Sequence, residues 1–312
     1  MMKKNWFTTL LSMVLSLLFM AAAAIPAAAQ SPGKGNPNTG IQVTPLGHDV
    51  YLFDDMGVST SYLIVGQKKC LIIDSGIGNK YFYQEVLKYC GGKPVECALT
   101  HAHMDHAGAA KQFPVYYENG KDRNIDYQKD VLIRAFSGYA KTLAMPQNMV
   151  KYGNTFGNIS DDSNDPNSKC VYISEGWKDD LGGRTVTYYE TAGHTSGSGC
   201  YYDDLSGYLF VGDMASPEPW LFFSETTDMG TYSSSMNKMY ALAQKASNIY
   251  TGHEDQGHCT PAHIKALAEV SSDVNQDKLL KAVPAILFVP KFYEDNGQTA
   301  FAGIFVATSK IQ

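Results

Sequence analysis

Short apolar runs cut by glycine and polar turns dominate the first part of the chain. Ile41 to Pro45, Val50 to Asp54, Ser61 to Val65 and Cys70 to Asp74 read as four strands separated by Gly-containing turns. The period then changes. Phe82, Val86 and Tyr89 give Lys80 to Cys90 the apolar stripe of a helix, and Gly91-Gly92-Lys93-Pro94 ends it. Val95 to Thr100 is the next short buried strand, Ala107 to Phe113 starts a helix, and Val115 to Glu118 is again a strand. Asp130 to Tyr152, Thr231 to Ser247 and Thr260 to Val270 read as helices, the last with Pro261 at a natural first-turn position. Ala285 to Val289 and Thr299 to Ala307 flank Asp295-Asn296-Gly297, a hairpin signal that adds a pair of strands.

Between the strand at Val95 and the helix at Ala107 lies Thr100-His101-Ala102-His103-Met104-Asp105-His106. Three imidazoles and a carboxylate within six positions are first-choice ligands for a borderline-soft divalent metal. An extended chain through His103 aims His101 and His103 the same way, while Asp105 and His106 project from the turn toward the same space. A histidine-rich solvated loop is the plain alternative for this stretch alone. Three later stretches argue against it. Tyr188 to His194, Tyr208 to Asp213 and Asn248 to His253 each carry an apolar run that stops at glycine and delivers one metal-binding side chain. That places these side chains at carboxyl ends of strands, where open sheets covered by helices put their sites.

The ordered set His101-x-His103-x-Asp105-His106, His194, Asp213 and His253 resembles the metallo-β-lactamase fold superfamily, in the pattern of its glyoxalase II-like hydrolases. The resemblance spans roughly residues 41 to 265 and is more specific for fold than for substrate. It implies an α/β architecture: an αββα four-layer sandwich of two mixed sheets flanked by helices, with a two-metal site along one edge. By that resemblance His101, His103 and His194 hold one metal, Asp105, His106 and His253 hold the second, and Asp213 bridges them. Two Zn2+ per chain are implied, with Fe or Mn also compatible. Asp105 is given the catalytic task of orienting a metal-bridging hydroxide. Asp74, in a strand ending Asp74-Ser75-Gly76, stands behind the ligands as a support.

The substrate reading rests on Asp213. True metallo-β-lactamases typically lack a bridging carboxylate there, so an ester, thioester or lactone carbonyl is favoured and β-lactams come second. A mononuclear iron persulfide dioxygenase, whose ligands are a subset of these, and a non-catalytic binding protein are the further alternatives. Asp213 is followed by two prolines and three aromatics, which make Trp220 and Phe222 candidates for an apolar substrate wall. The ligand groups at His106 and His194 are 88 residues apart, and a cap-like insert at about 119–170 accounts for most of that length. Within it Phe136, Tyr139, Met145 and Met149 either face substrate or pack the insert onto the body.

At the amino end, Lys3 and Lys4 precede a nearly apolar run from Trp6 to Ala24, and Ala27-Ala28-Ala29 offers small residues for cleavage. Residues 1–29 therefore read as a secretory signal peptide, 30–40 as a flexible lead-in, and 41–312 as one domain, exported to a periplasmic or extracellular location. An uncleaved amino-terminal anchor is the alternative. The formal charge of −6 becomes −8 once Lys3 and Lys4 are removed. That balance speaks against nucleic acid, which needs a basic footprint, and leaves a small-molecule substrate as the expected partner. No second long apolar stretch follows the leader, so stable membrane insertion after cleavage is not expected. Six cysteines in an exported chain allow fifteen pairings, Cys90 with Cys97 being the most local, and buried free thiols are the alternative. His48, His258 and His263 read as surface histidines.

Overall fold

The computed structural model describes residues 38–125, 158–160, 163–253, 259–276 and 286–311. The signal-like segment, most of the lead-in, His258 and the insert residues Phe136, Tyr139, Met145 and Met149 lie outside them. A seven-stranded sheet runs in sequence order through β1 (Ile41–Gly47), β2 (Val50–Asp55), β3 (Ser59–Val65), β4 (Cys70–Ile73), β5 (Val95–Ala98), β6 (Val115–Asn119) and β7 (Lys169–Ile173). Its first four strands are antiparallel and the rest parallel. Helix α1 (Phe82–Leu87) makes the crossover from β4 to β5, and helix α2 (Met104–Ala107) follows β5. The second sheet, also mixed, contains β8 (Lys178–Asp180), β9 (Thr185–Glu190), β10 (Gly199–Asp203), β11 (Tyr208–Gly212) and β13 (Asn248–Thr251), in the order β13-β11-β10-β9-β8. A third sheet joins the two-residue strand β12 (Trp220–Leu221) to β15 (Gln298–Ala307) and β14 (Ile286–Asp295). Helices α3 (Met229–Ala243) and α4 (Pro261–Gln276) complete the described elements.

Side-chain alternation builds the layers. Leu63, Ile72 and Cys97 turn outward from the first sheet and pack with Phe82 and Val86 of α1. Their neighbours Tyr62, Ile64, Leu71 and Ile73 turn inward and meet Val186, Tyr188, Tyr201, Phe210 and Tyr250 of the second sheet. The outer face of that sheet, with Leu209, Val211 and Ile249, packs under Met236, Met239, Ile264 and Leu267 of α3 and α4. The order is helix, sheet, sheet, helix, which is the four-layer sandwich expected.

The interlayer tyrosines tie this core to one end of the molecule. Their rings are buried and each hydroxyl needs an acceptor. Tyr62 donates to the Thr251 carbonyl at 2.6 Å, Tyr201 to Leu99 at 2.8 Å and Tyr188 to Gly197 at 3.1 Å. Thr251, Leu99 and Gly197 stand two, two and three residues from His253, His101 and His194, so apolar packing is transmitted to the loops that carry those side chains.

Several expected boundaries move. The helix placed at Ala107 begins at Met104, because His103 takes an extended conformation as the N-cap and the chain turns directly after it. Only a 3-10 turn, Ala110–Gln112, follows. Helix α1 is confined to Phe82–Leu87, and α4 runs on to Gln276. The carboxyl-terminal hairpin is ten residues per strand, longer than its apolar stretches suggested. Strands β7, β8, β10 and β12 have no counterpart in the sequence reading; β8 is three residues of Lys and Asp, held by β9 and not by its own apolarity. His263 is buried, not at the surface: its ring lies between the Ser216 carbonyl and the Tyr293 hydroxyl, both at 3.2 Å. His48 is exposed as expected. All six cysteines are free thiols, and Cys97 sits opposite Ile72 in the sheet register, with Cys70 opposite Val95.

Arg184 and Asp203 form an ion pair in the interior, the guanidinium donating through Nε to Oδ1 at 2.9 Å and through Nη2 to Oδ2. Arg184 Nη1 also reaches the His48 and Val65 carbonyls, which joins the second sheet to the first. Removing one partner leaves a buried charge unmatched. Asp203→Ala is expected to cost about 3–5 kcal/mol, read as a lower denaturant midpoint at unchanged slope.

Candidate metal centre

The ligand candidates leave the sheets at one end. His101 and His103 follow β5, with Asp105 and His106 in the first turn of α2. His194 lies in the connection from β9 to β10, Asp213 directly follows β11, and His253 follows β13. Glycine precedes the last three for lack of space. Gly212 has φ +54, and a Cβ there would meet Thr100 Oγ1 at 2.5 Å; a Cβ on Gly252 would meet Asp213 Oδ1 at 2.6 Å. A larger residue would push into the cluster at 252, into Thr100 at 212, and into Tyr232 and Met214 at 193.

All seven side chains converge. Ligand atoms of His101, His103 and His194 lie within 4.8 Å of one another, as do those of His101, His106 and Asp213, and those of Asp105, His106 and His253. His103 Nδ1 is 2.8 Å from His194 Nε2, and His106 Nε2 is 3.2 Å from His253 Nε2. Asp213 Oδ2 stands 3.0 Å from His253 Nε2 and 3.5 Å from His194 Nε2, so one carboxylate faces both groups.

The outer nitrogens explain why the inner ones point inward. His106 Nδ1 donates to Asp74 Oδ2 at 3.2 Å, His194 Nδ1 to the Trp220 carbonyl at 2.8 Å, and His253 Nδ1 to the Val58 carbonyl at 2.7 Å. His103 is reversed: Nε2 donates to Glu225 Oε1 at 2.7 Å, which leaves Nδ1 facing in. For His101 the partner is Thr100 Oγ1 at 3.1 Å; that hydroxyl donates to Asp74 Oδ2 at 2.8 Å and so accepts from the ring. These acceptors fix all five rings with one nitrogen turned inward. Asp74 thus supports His106 directly and His101 through Thr100, from a backbone held at φ +63, a conformation few residues other than glycine adopt.

His101 Nε2 tests whether a cation fits. It is buried, has no hydrogen-bond partner, and its nearest carboxylate oxygen is Asp213 Oδ2 at 3.9 Å. A bare imidazole lone pair beside two carboxylates is a ligand set for a divalent cation. The protonation balance agrees. Burial and the neighbouring His106 charge hold His101 well below the ordinary histidine range, and burial with His103 draws His194 down to about 4. Burial also opposes charge on His106 and His253, but Asp213 and Asp105 overcome it; His106 is raised well above its usual value and His253 to about 9. Against their own desolvation, Asp105 and Asp213 are pulled down by His106 and His253. The carboxylates therefore demand positive charge, and a proton is what the chain alone offers.

Sequence reasoning named Asp74 but not Glu225, which follows an aromatic run with no spacing to mark it. Beside Trp220 and Phe222, expected as a substrate wall, it missed Phe223, whose ring lies 5.1 Å from the His103 ring and 5.7 Å from His194. Phe222 stacks on Phe223 at 4.7 Å and Trp220 on Phe222 at 5.5 Å, so the three form one half-exposed strip leading to the site. Tyr139 and Met145 are outside the described residues.

A four-layer sandwich carrying a histidine and aspartate cluster at the carboxyl ends of its strands defines a class of metal-site proteins. The match to the family model described as "Metallo-beta-lactamase superfamily" covers residues 54–253, and the chain belongs to that superfamily. A curated relative, acyl-coenzyme A thioesterase MBLAC2 from Gallus gallus, is 22% identical over 228 residues, covering 67% of this chain and 79% of that protein. Among solved structures, a metallo-beta-lactamase family protein from Thermus thermophilus superposes with a TM-score of 0.52 at 18% identity, covering 79% of this chain and 85% of that one. DIM-1 metallo-beta-lactamase superposes with a TM-score of 0.53 at 16% identity, covering 73% and 97%. At these identities the structures speak for the fold.

The two histidines at the extremes give a test of the electrostatics. In chelator-treated protein, His253 holds its proton to about 9, so its contribution to stability is complete below 6.5 and lost as pH rises through 9. His194 behaves oppositely: its neutral form contributes above 6.5, and stability is lost as pH falls toward about 4. Ring-proton NMR is expected to separate the two midpoints widely; both rings titrating near the ordinary histidine value would contradict this account.

Proposed function

We propose that the chain is an exported dinuclear zinc hydrolase that opens an ester, thioester or lactone carbonyl. The observation that carries this reading is the set of five imidazoles, each with its outer nitrogen bonded and its inner nitrogen turned into a cluster that also holds the carboxylates of Asp105 and Asp213. His101, His103 and His194 would hold one metal, Asp105, His106 and His253 the other, and Asp213 would serve both. When bound, such metals supply a water acidic enough to attack at neutral pH and a Lewis acid for the carbonyl oxygen. Export is supported by the leader-like pattern of residues 1–29.

The chain's own groups orient the reaction. Asp105 has the more accessible of the two cluster carboxylates, 21% exposed against 12% for Asp213. Its Oδ2 faces His106 and His253 at 3.5 and 3.4 Å, leaving Oδ1 to accept a hydrogen bond from the attacking water or hydroxide and hold it in line with the carbonyl. The strip Phe223, Phe222 and Trp220 would take the acyl group, excluding water from one side of the carbonyl and giving the substrate an apolar body. The thioester option draws further support from the acyl-coenzyme A thioesterase among the relatives.

Elemental mass spectrometry on protein purified without chelator is expected to find two zinc ions per chain. A panel of thioesters, lactones and β-lactams should show carbonyl hydrolysis that chelation abolishes. Asp105→Asn should lower kcat by at least about 100-fold with only partial loss of metal, and near-native turnover in that variant would rule out the orienting role. Phe223→Ala should act chiefly through a higher KM for apolar acyl groups.

A further inference from the structure

We infer that Asp122 is a positioning residue that braces the His101, His103 and His194 half of the metal centre and not the other half, a conclusion resting on the ligand roles proposed above. Asp122 lies in the turn after β6, 16 residues past His106 and 72 before His194. Its amide donates to the Asn119 carbonyl at 3.0 Å and its own carbonyl accepts from Ile125 N at 2.8 Å, so the turn is rigid at that point. The residue is 2% exposed. Its carboxylate accepts three hydrogen bonds, and every donor belongs to a ligand-bearing segment. Oδ2 accepts from Ala102 N at 3.1 Å and from Thr195 Oγ1 at 2.7 Å; Oδ1 accepts from Gly197 N at 2.6 Å.

Ala102 is the residue between His101 and His103, and Thr195 directly follows His194. One side chain therefore holds the backbone that carries two ligands against the turn that carries the third. Thr195 is locked in turn by Ser198, whose hydroxyl accepts from Thr195 N and lies beside Thr195 Oγ1, both at 2.9 Å. Close approach is required: a Cβ on Gly197 would lie 2.5 Å from Asp122 Cγ. The product of this clamp is the 2.8 Å separation of His103 Nδ1 from His194 Nε2. Asp105, His106 and His253 make no bond to Asp122. Their supports are Asp74 and the Val58 carbonyl, on the strands and turns of the first sheet. Asp74 thus reaches both metal positions, His106 directly and His101 by way of Thr100, whereas Asp122 braces only the segments that carry His101, His103 and His194.

The test uses full-length protein as wild type, Asp122→Asn, Thr195→Val and Thr195→Ser. Each is stripped, titrated with Zn2+ and with Co2+, counted by elemental analysis, and competed with a chromophoric chelator, with circular dichroism melts in parallel. An asparagine matches the carboxylate in shape but presents an NH2 group to at least one of the three donors. Asp122→Asn is expected to bind one equivalent about 10- to 100-fold more weakly and the other as wild type does. In the one-zinc form, NMR should show shifted rings for His106 and His253 and free rings for His103 and His194. Thr195→Val removes one donor without touching the carboxylate and should weaken the same equivalent several-fold, with Thr195→Ser restoring it. Two equivalents of wild-type affinity in Asp122→Asn would overturn the inference. So would equal weakening of both equivalents in Asp122→Asn with Thr195→Val unchanged, which marks a general structural role. A wild-type chain that binds no metal would bring down the hydrolase reading itself.

Discussion

Five imidazole rings share one small space because each is tethered from behind. Crowded rings beside two carboxylates would otherwise rotate toward solvent or toward one another's protons. Acceptors that can only accept, two carboxylates and two backbone carbonyls together with the relayed hydroxyl of Thr100, remove that freedom. The cost of keeping so many ligands inward is thus distributed over the body of the protein. It is visible as the left-handed backbone of Asp74 and the glycines at 212 and 252.

The sandwich meets this demand through its polar seams as much as its apolar layers. Three interlayer tyrosines end at carbonyls close to ligand loops, and Thr60 N reaches the Gly252 carbonyl at 2.8 Å while Gly199 N reaches Thr100 at 2.8 Å. Apart from the Tyr188 bond, which stays within the second sheet, these contacts cross from one sheet to the other at the site end. Packing between the sheets and geometry at the centre are consequently one problem, because a shift in either layer moves the ligand loops of the other.

Much of this was legible in the sequence because the chemistry is local there. A run such as His101 to His106 announces its purpose by density, and apolar runs ending in Gly-His or Gly-Asp announce strand ends. The four-layer order followed from the resemblance those motifs carried. The supports were harder to read. Asp74 was visible only through the resemblance, while Glu225 and Asp122 are ordinary acidic residues in ordinary loops until folding brings them within bonding distance. His263 misled for the reverse reason: a polar residue near a helix start looks solvent-facing, and only the packing of α4 against the loop at Ser216 buries it. Strand β8, with no apolar signal, exists because β9 offers it an edge.

The third sheet has a consequence for the order of assembly. The Trp220 carbonyl that orients His194 belongs to β12, and β12 is a strand only because β15 lies beside it, pairing Trp220 with Phe305 and Leu221 with Val306. Phe305 follows His103 by 202 residues, from 103 to 305. On the ribosome, the motif that is richest in histidines emerges well before the brace for its partner ring. The centre therefore gains its final rigidity only once Phe305 and Val306 have been made, after both large sheets are available to receive it, and a shorter nascent chain holds its histidines without the geometry that would make them a competent cage.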